Sequence, residues 1–304
     1  MTDFRSLTVR EAARQIAERQ LTAEALTATY LDGIEAREPV VGAWQYLDRE
    51  QALATARRRD AEPPRGPLHG IPIVVKDLID TVDMPTTYGS PIYRGHRPAA
   101  DASCVALAKA GGAVVLGKTV TTEFAAFTPG KTSNPRNPAH TPGGSSSGSA
   151  AAVADGMAPL AFGTQTAGSV IRPAAYCGCV GYKPSFGLIN RAGVKPLADS
   201  LDTIGVLART VEDAAFFAGV LSERLALRNL AVPSEPPRFG VYRTPMWDAA
   251  EPTTAAALDE ARAALERAGV AVAELAIAPE HHGWLKRRTR SCVSRRFARS
   301  PMSE

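Results

Sequence analysis

The sequence predicts an α/β fold, one sheet covered by helices on both faces, and two observations lead there. Short apolar runs that read as strands alternate along the chain with segments of helical periodicity, the pattern of a sheet packed between helical layers. The composition, 45% hydrophobic and 22% charged over 304 residues, is that of a globular protein able to fill one large α/β core or two small ones.

Taken in order, Thr8 with Glu11 three positions on has the form of a capping box, and Leu7, Ala12, Ala13 and Ile16 then recur at helical spacing. Thr22 can cap a second helix running to about Glu35. Residues 67–77, PLHGIPIVVKD, are a Gly-Pro punctuated apolar strand that ends directly on Lys76, which places that lysine at the end of a buried strand. A helix over 102–110 and a strand over 113–116 follow, then the Pro- and Asn-rich loop 128–142. Residues 142–173 hold two serine-bearing glycine turns, Ser145 to Ser147 and Ser169, separated by an Ala-rich segment expected to be helical. Beyond them come a strand at 180–183, a looping region to Ala198, and a helix over 210–221 with acids in its first turn. The turn-rich stretch 231–238 then leads into a strand at 239–242, an Ala/Leu helix at 253–268 stopped by Gly269, and a strand at 270–276. This last β-α-β segment is expected to extend the existing sheet.

Charge and cysteine content narrow the function classes. The formal charge is +4, but seven Lys/Arg fall between Lys286 and Arg299, and residues 1–280 hold 28 basic and 30 acidic side chains. A body of net charge −2 is no nucleic-acid binder by charge. The opening MTDFRSLTVREAARQ is charged where a signal peptide needs an apolar run, and no apolar stretch approaches the ~20 residues of a membrane span, so the expectation is a cytoplasmic protein with no membrane partner. Cys104, Cys177, Cys179 and Cys292 have neither C-x-x-C spacing nor a His at zinc-finger distance, and no metal site is expected.

Three motif readings compete around the serines. Residues 112–119 fit the phosphate-loop pattern G-x-x-x-x-G-K-S/T, but the intervening Ala-Val-Val-Leu is itself the strand and a helix precedes it, the reverse of what cradling a phosphate requires. Gly144-Ser-Ser-Ser-Gly148 fits the nucleophile elbow G-x-S-x-G, yet a polar loop stands where the buried strand should be. A triad histidine would have to come from His69, His96, His140, His281 or His282, none in a context that singles it out, and a Ser/Gly turn capping the next helix reads equally well. None of the seven lysines has serine three residues before it, which excludes S-x-x-K chemistry. Lys76 is best placed to reach a serine through the fold; Lys118 and Lys183 also follow apolar strands, and an interior salt bridge is the plainer fate of any of them.

Lys76 in LHGIPIVVKD, Ser145 in GGSSSGSAAAVA and Ser169 in GTQTAGSVIRP, spaced by 69 and 24 residues, resemble the three motifs of the amidase signature family. GKTVTTEF, NPRNP, the YKPS of residues 182–185 and SLDTIGVLARTVEDA agree with it, so the resemblance covers roughly residues 5–280. It implies a central mixed β-sheet covered by helices on both faces, and hydrolysis of a small carboxamide to carboxylate and ammonia through an acyl-serine, with no cofactor. In that chemistry an uncharged, desolvated Lys76 takes a proton from Ser145, Ser145 takes one from Ser169, and Ser169 attacks the carbonyl. The Gly144–Ser145 peptide is expected to be cis. Backbone N–H groups of Thr166, Ala167, Gly168 and Ser169 are the candidate oxyanion hole, although Ala167 stands where many members have glycine. The wording around Arg172 resembles malonamidase-like members, in which this arginine holds a substrate carboxylate; a structural salt bridge is its other reading. The partner expected is the small amide alone, with a homodimer left open. The alternatives are an inactive remnant and an ammonia-producing component similar to the A subunits of glutamyl-tRNA amidotransferases; the D-T-G-G-S-I-R wording more usual in such subunits is absent.

Residues 1–280 are thus read as an amidase signature domain and 281–304 as an anomalous basic tail. Amphipathic periodicity disappears after Glu280 where the family fold should continue, so a frameshifted or truncated end, and a C-terminally incomplete fold, are expected.

Overall fold

The computed structural model describes residues 4–231, 234–235, 237–244 and 247–276; the basic tail 281–304 lies outside the described residues. These divide into two compact units, 1–230 and 231–304.

In the first unit, helices α1 (Val9–Ala17) and α2 (Ala23–Val41) open the chain. Thr8 and Thr22 cap them, their hydroxyls accepting from the N–H groups of Glu11 and Ala25. The Thr8 capping box is only half formed, because the Glu11 carboxylate turns to Arg14 and Gln15. Helix α2 runs past Glu35 and through Pro39 to a left-handed Gly42, whose N–H closes on Glu38 C=O. There the Glu38 carboxylate accepts the N–H groups of Ala43 and Trp44, fixing the turn into a strand.

The sheet strands are β1 (Trp44–Leu47), β2 (Pro72–Lys76), β3 (Val114–Thr119), β4 (Leu160–Gln165), β5 (Val180–Tyr182) and β6 (Thr203–Ala208), ordered β1-β3-β2-β4-β6-β5. The sheet is mixed: β3, β2 and β4 run parallel, while β1, β5 and β6 pair antiparallel to their neighbours. Every residue of β2, β3, β4 and β6 is buried, as a sheet covered on both faces requires. The two faces separate at β4. Phe162 packs edge-on against Phe217 of α7 (Val211–Leu221) at 4.9 Å. The neighbouring Gly163 points the other way, where an added Cβ would lie 3.0 Å from Val170 and 3.1 Å from the Ser146 hydroxyl.

The remaining helices of this unit are α3 (Arg49–Ala61), α4 (Ser103–Ala110), α5 (Ser147–Ala154), α6 (Ile171–Cys177) and α8 (Leu225–Arg228). Helix α5 is the Ala-rich segment expected between the serine turns, and it is buried over residues 147–153. It starts on the backbone of the chain leaving β3: Gly148 N–H donates to Val120 C=O, and a Cβ at 148 would stand 2.3 Å from Ala43 O. Only glycine permits that approach.

The second unit holds β7 (Phe239–Val241), α9 (Pro252–Arg267) and β8 (Val272–Glu274). The elements are those expected, but the β-α-β segment does not extend the main sheet: β7 and β8 pair with each other in parallel. The crossover helix brings the two strands side by side, and each satisfies the other's ladder locally. No helix among the described residues is long and apolar enough to cross a membrane.

Candidate active site

Lys76 ends β2 with no exposed surface, and the position of its Nζ is fixed by three oxygens. Its Nζ lies 2.7 Å from Ser145 Oγ, 2.8 Å from Thr164 Oγ1 and 3.5 Å from Thr164 O. Because β2 and β4 are parallel neighbours, the end of β4 brings Thr164 beside the lysine. Burial pushes the Lys76 amine well below its ordinary value, with the Asp202 carboxylate opposing the shift. Lys76 Nζ donates to the Ser145 hydroxyl, the Thr164 hydroxyl and the Thr164 carbonyl, and of these the two hydroxyls can also donate in return.

Each serine of the run has a separate anchor. Ser145 C=O accepts from Thr122 N–H at 3.1 Å, and the Gly144–Ser145 peptide is cis. Ser146 Oγ sits 3.3 Å from both the N–H and the C=O of Thr164, and its own N–H donates to Ser169 C=O at 3.2 Å. Ser147 donates to Val120 C=O and Ser149 to Phe162 C=O. One backbone bond therefore ties the two serine turns together beside Lys76.

Ser169 is buried on the turn between β4 and α6. The strand-turn-helix context that the Ser145 run lacks is thus found at the second turn. Gln165, which sequence reasoning did not single out, holds that turn: its Oε1 accepts from Val170 N–H at 2.8 Å and Ile171 N–H at 3.0 Å, while its Nε2 donates to Ala167 C=O at 2.9 Å. Asp202, also missed, accepts from the Thr166 hydroxyl at 2.5 Å and from the Leu197 and Ala198 N–H groups. Among the described residues the N–H groups of Ala167, Gly168 and Ser169 meet no acceptor. The only signal for Gln165 and Asp202 was their place in GTQT and SLDT, beside apolar runs.

The other candidates resolve differently. Arg172 makes no salt bridge among the described residues: its Nε and one Nη donate to Gly144 C=O at 3.0 and 2.8 Å, from an exposed position. Lys118 has the interior fate, fully buried with Asp77 at 3.4 Å and donating to Ile79 C=O and Thr86 Oγ1. Burial pulls its amine down to about 8 and raises the Asp77 carboxyl. This is also why residues 112–119 are no phosphate loop: 114–119 are strand and the lysine points into the core. Lys183 donates to Pro184 C=O. Both ring nitrogens of His69 are bonded to backbone, at Arg59 and Arg65, and His96 sits against Tyr88, so neither histidine is held by a serine. His281 and His282 lie outside the described residues.

The comparisons with known proteins bear on the family and the fold. The sequence model of the Amidase family matches residues 25–298. The A subunit of a glutamyl-tRNA(Gln) amidotransferase from Solidesulfovibrio magneticus is 41% identical over 247 residues, which cover 79% of this chain and 51% of that protein. The subunit of the same name from Salinispora arenicola is 38% identical, over 90% of this chain and 62% of its own length. The chain thus spans about half to three-fifths of these curated relatives. Among solved structures, a peptide amidase from Stenotrophomonas maltophilia superposes with a TM-score of 0.81 at 33% identity, covering 97% of this chain and 69% of that one. The A subunit of the Thermotoga maritima glutamyl-tRNA(Gln) amidotransferase gives 0.74 at 32% identity, covering 98% and 71%. By sequence match and by fold, the chain belongs to the Amidase family.

Proposed function

We propose that this protein hydrolyses a small carboxamide to a carboxylate and ammonia through an acyl-Ser169 intermediate, within residues 1–280 acting as one domain. The observation that carries the reading is the 2.7 Å contact between the buried Lys76 amine and the Ser145 hydroxyl. Burial lowers the amine well below its ordinary value, and in its neutral form it accepts the Ser145 proton as Ser145 accepts that of Ser169. The Ser169 oxygen attacks the amide carbon, and the N–H groups of the turn at Thr166, Ala167, Gly168 and Ser169 receive the charge that develops on the carbonyl oxygen. Reversal of the relay delivers the proton to the departing amine. Water then repeats the sequence against the acyl-enzyme and frees Ser169.

Arg172 is proposed to hold a carboxylate on the substrate, through whatever part of its fork the Gly144 carbonyl leaves open. The setting proposed is the reducing cytoplasm, in keeping with Cys104, Cys177 and Cys179 as free thiols. A second reading, the ammonia-producing component of an amidotransferase, is favoured by the names of the relatives above. One experiment separates the readings. Purified protein is incubated with acid-amides, neutral amides and C-terminally amidated peptides, ammonia is measured, and the parent is compared with Ser169→Ala and Arg172→Ala. Release by the parent and not by Ser169→Ala is the expected result. Ammonia that appears only with an added amidotransferase partner favours the second reading, and equal release by Ser169→Ala refutes the acyl-serine.

A further inference from the structure

The loop that precedes β6 carries a buried carboxylate toward the proposed base. Asp202 is 8% exposed, and each of its oxygens is engaged. One accepts from the Leu197 and Ala198 N–H groups at 2.8 and 2.9 Å, with Arg191 Nη1 at 3.9 Å. The other accepts from the Thr166 hydroxyl at 2.5 Å. The Asp202 N–H donates to Ala198 C=O, so the loop closes on its own carboxylate.

The register of the sheet puts this group where it is. Gln165 pairs with Thr203 in the antiparallel ladder of β4 and β6, so the next residue along, Thr166, stands opposite Asp202. Thr164 and Thr166 are two residues apart and project to one face, and they share with Asp202 a cavity of about 10 Å³, room for about one water. Thr164 bonds to Lys76 Nζ, and Thr166 opens the turn that carries the Ala167, Gly168 and Ser169 N–H groups. That turn is otherwise held from its own side, by the Gln165 side chain, by Arg172 N–H on Gly168 C=O and by Ser146 N–H on Ser169 C=O. The Thr166 hydroxyl ties it to the loop before β6.

A neutral acceptor would serve to hold a threonine hydroxyl, and a buried carboxylate costs more desolvation. The relay supplies a reason for the charge. When Ser145 gives up its proton, Lys76 becomes an ammonium with no exposed surface, and the Asp202 carboxylate favours that form against the effect of burial. Other charges on the surrounding elements are engaged elsewhere. Asp77, just past β2, pairs with Lys118 of β3 at 3.4 Å; Arg172 bonds to Gly144 C=O; Lys195 lies among the rings of Tyr88, Tyr93 and Phe124. Strand β4 and helix α5 carry no charged residue.

We propose that Asp202 is a positioning residue of the hydrolysis: its carboxylate fixes Thr166 at the head of the oxyanion turn and is the counter-charge for the ammonium that Lys76 becomes during the relay. The inference rests on the amide-hydrolase reading of the site and deepens it.

Three variants separate the bond from the charge. Asp202→Asn removes the charge and keeps the bonds, its oxygen accepting from Leu197 and Ala198 and its amide donating to the Thr166 oxygen. Thr166→Val removes the bond and keeps the charge, and Thr166→Ser restores the bond. In ammonia release, kcat is expected to fall about tenfold or more in Asp202→Asn and Thr166→Val with KM within about twofold, and Thr166→Ser to recover most of the loss. The acid limb of the kcat/KM profile should move to lower pH in Asp202→Asn alone, because without the carboxylate Lys76 stays neutral further down the scale. A purely structural carboxylate would leave that limb in place. The parent kcat in Thr166→Val, or an unmoved acid limb in Asp202→Asn, would overturn the proposal.

A second readout needs no amide turnover: the rate at which a small alkyl fluorophosphonate labels Ser169, whose oxygen displaces fluoride from phosphorus, followed by intact mass against a Ser169→Ala control. Parent and Thr166→Ser should label faster than Thr166→Val and Asp202→Asn, and equal rates overturn the proposal. Labelling without ammonia release from any amide counts against the hydrolase reading alone, while the labelling rates still decide on Asp202. Parent protein that is neither labelled nor active overturns both. Melting temperatures identify any unfolding; where Thr166→Val fails to fold, Asp202→Asn, which keeps every bond, decides.

Discussion

Thr164→Val is the change that probes the proposed base most directly, because it keeps the shape of the side chain and removes one oxygen. The Thr164 hydroxyl accepts from Lys76 Nζ at 2.8 Å, while the alternative acceptor, Thr164 C=O, is at the long limit of 3.5 Å. Lys76 has no exposed surface, so water does not take the vacated place. A buried donor left without its partner costs about 1–3 kcal/mol. Each 1 kcal/mol shifts the melting temperature of a domain of this size by roughly 2–4 °C, so thermal unfolding followed by circular dichroism should fall by ~2–12 °C. The amine would also be free to rotate, and its 2.7 Å contact with Ser145 Oγ would lose its direction. A matching loss of about 10- to 100-fold in kcat/KM is expected, equivalent to ~1.4–2.7 kcal/mol of transition-state stabilisation. Thr164→Ser, which keeps the oxygen, should recover most of both. An unchanged melting temperature together with unchanged kcat/KM in Thr164→Val would refute the assignment of Thr164 as the group that orients the base.

Two further outcomes follow from the buried charges. Because burial holds the Lys76 amine below its ordinary value, the folded state binds fewer protons than the unfolded one between the two pKa values. The resulting cost is absent above the unfolded value of ~10.4, grows as pH falls, and is complete below the folded value. Lys76→Met should therefore gain stability relative to the parent as pH drops from ~10.5 toward ~7, read as a widening difference in melting temperature; a pH-independent difference would contradict the lowered pKa. For the fully buried Asp77–Lys118 pair, Asp77→Asn or Lys118→Met alone should destabilise by about 3–5 kcal/mol in urea unfolding, with the double variant losing less than the sum. Strict additivity would show that the two groups do not act as a pair.

What the sequence made legible, and what it hid, follows from the range of the interactions. The alternation of apolar runs and helical segments predicted a covered sheet and located β2, β3 and β5, while β4 and β6 went unread although every residue of both is buried. Thr8 and Thr22 announced their helices because a cap is a contact across three residues. Helix α2 runs beyond its expected end since Glu38 and Gly42 close it, and a side chain bonding to the backbone of a coming strand leaves no periodic trace. Strand β1 and helix α3 went unread for a related reason: β1 is four residues long, and α3 is rich in arginine with little apolar face. At the site, Lys76 was visible as a charge ending an apolar strand. Thr164, Gln165 and Asp202 were not, because neutral or common residues acquire their roles only when β2, β4 and the start of β6 are brought together. Pairing of β7 with β8 rather than with the main sheet depends on where a crossover places two strands, which local pattern does not encode.

The sheet order has a consequence for how such a protein can change. Lys76 and Thr164 sit at strand ends and Asp202 immediately before β6, on three strands that are neighbours in space. Arg172, by contrast, lies exposed on the surface of α6, and Lys195 lies partly exposed on a loop. Drift at the second group leaves the ladder of the sheet intact, whereas drift at the first disturbs the core. On the proposed function, a lineage built on this frame can exchange the amides it accepts at little cost to folding while the proposed relay stays fixed, so close relatives are expected to differ in substrate far more readily than in chemistry.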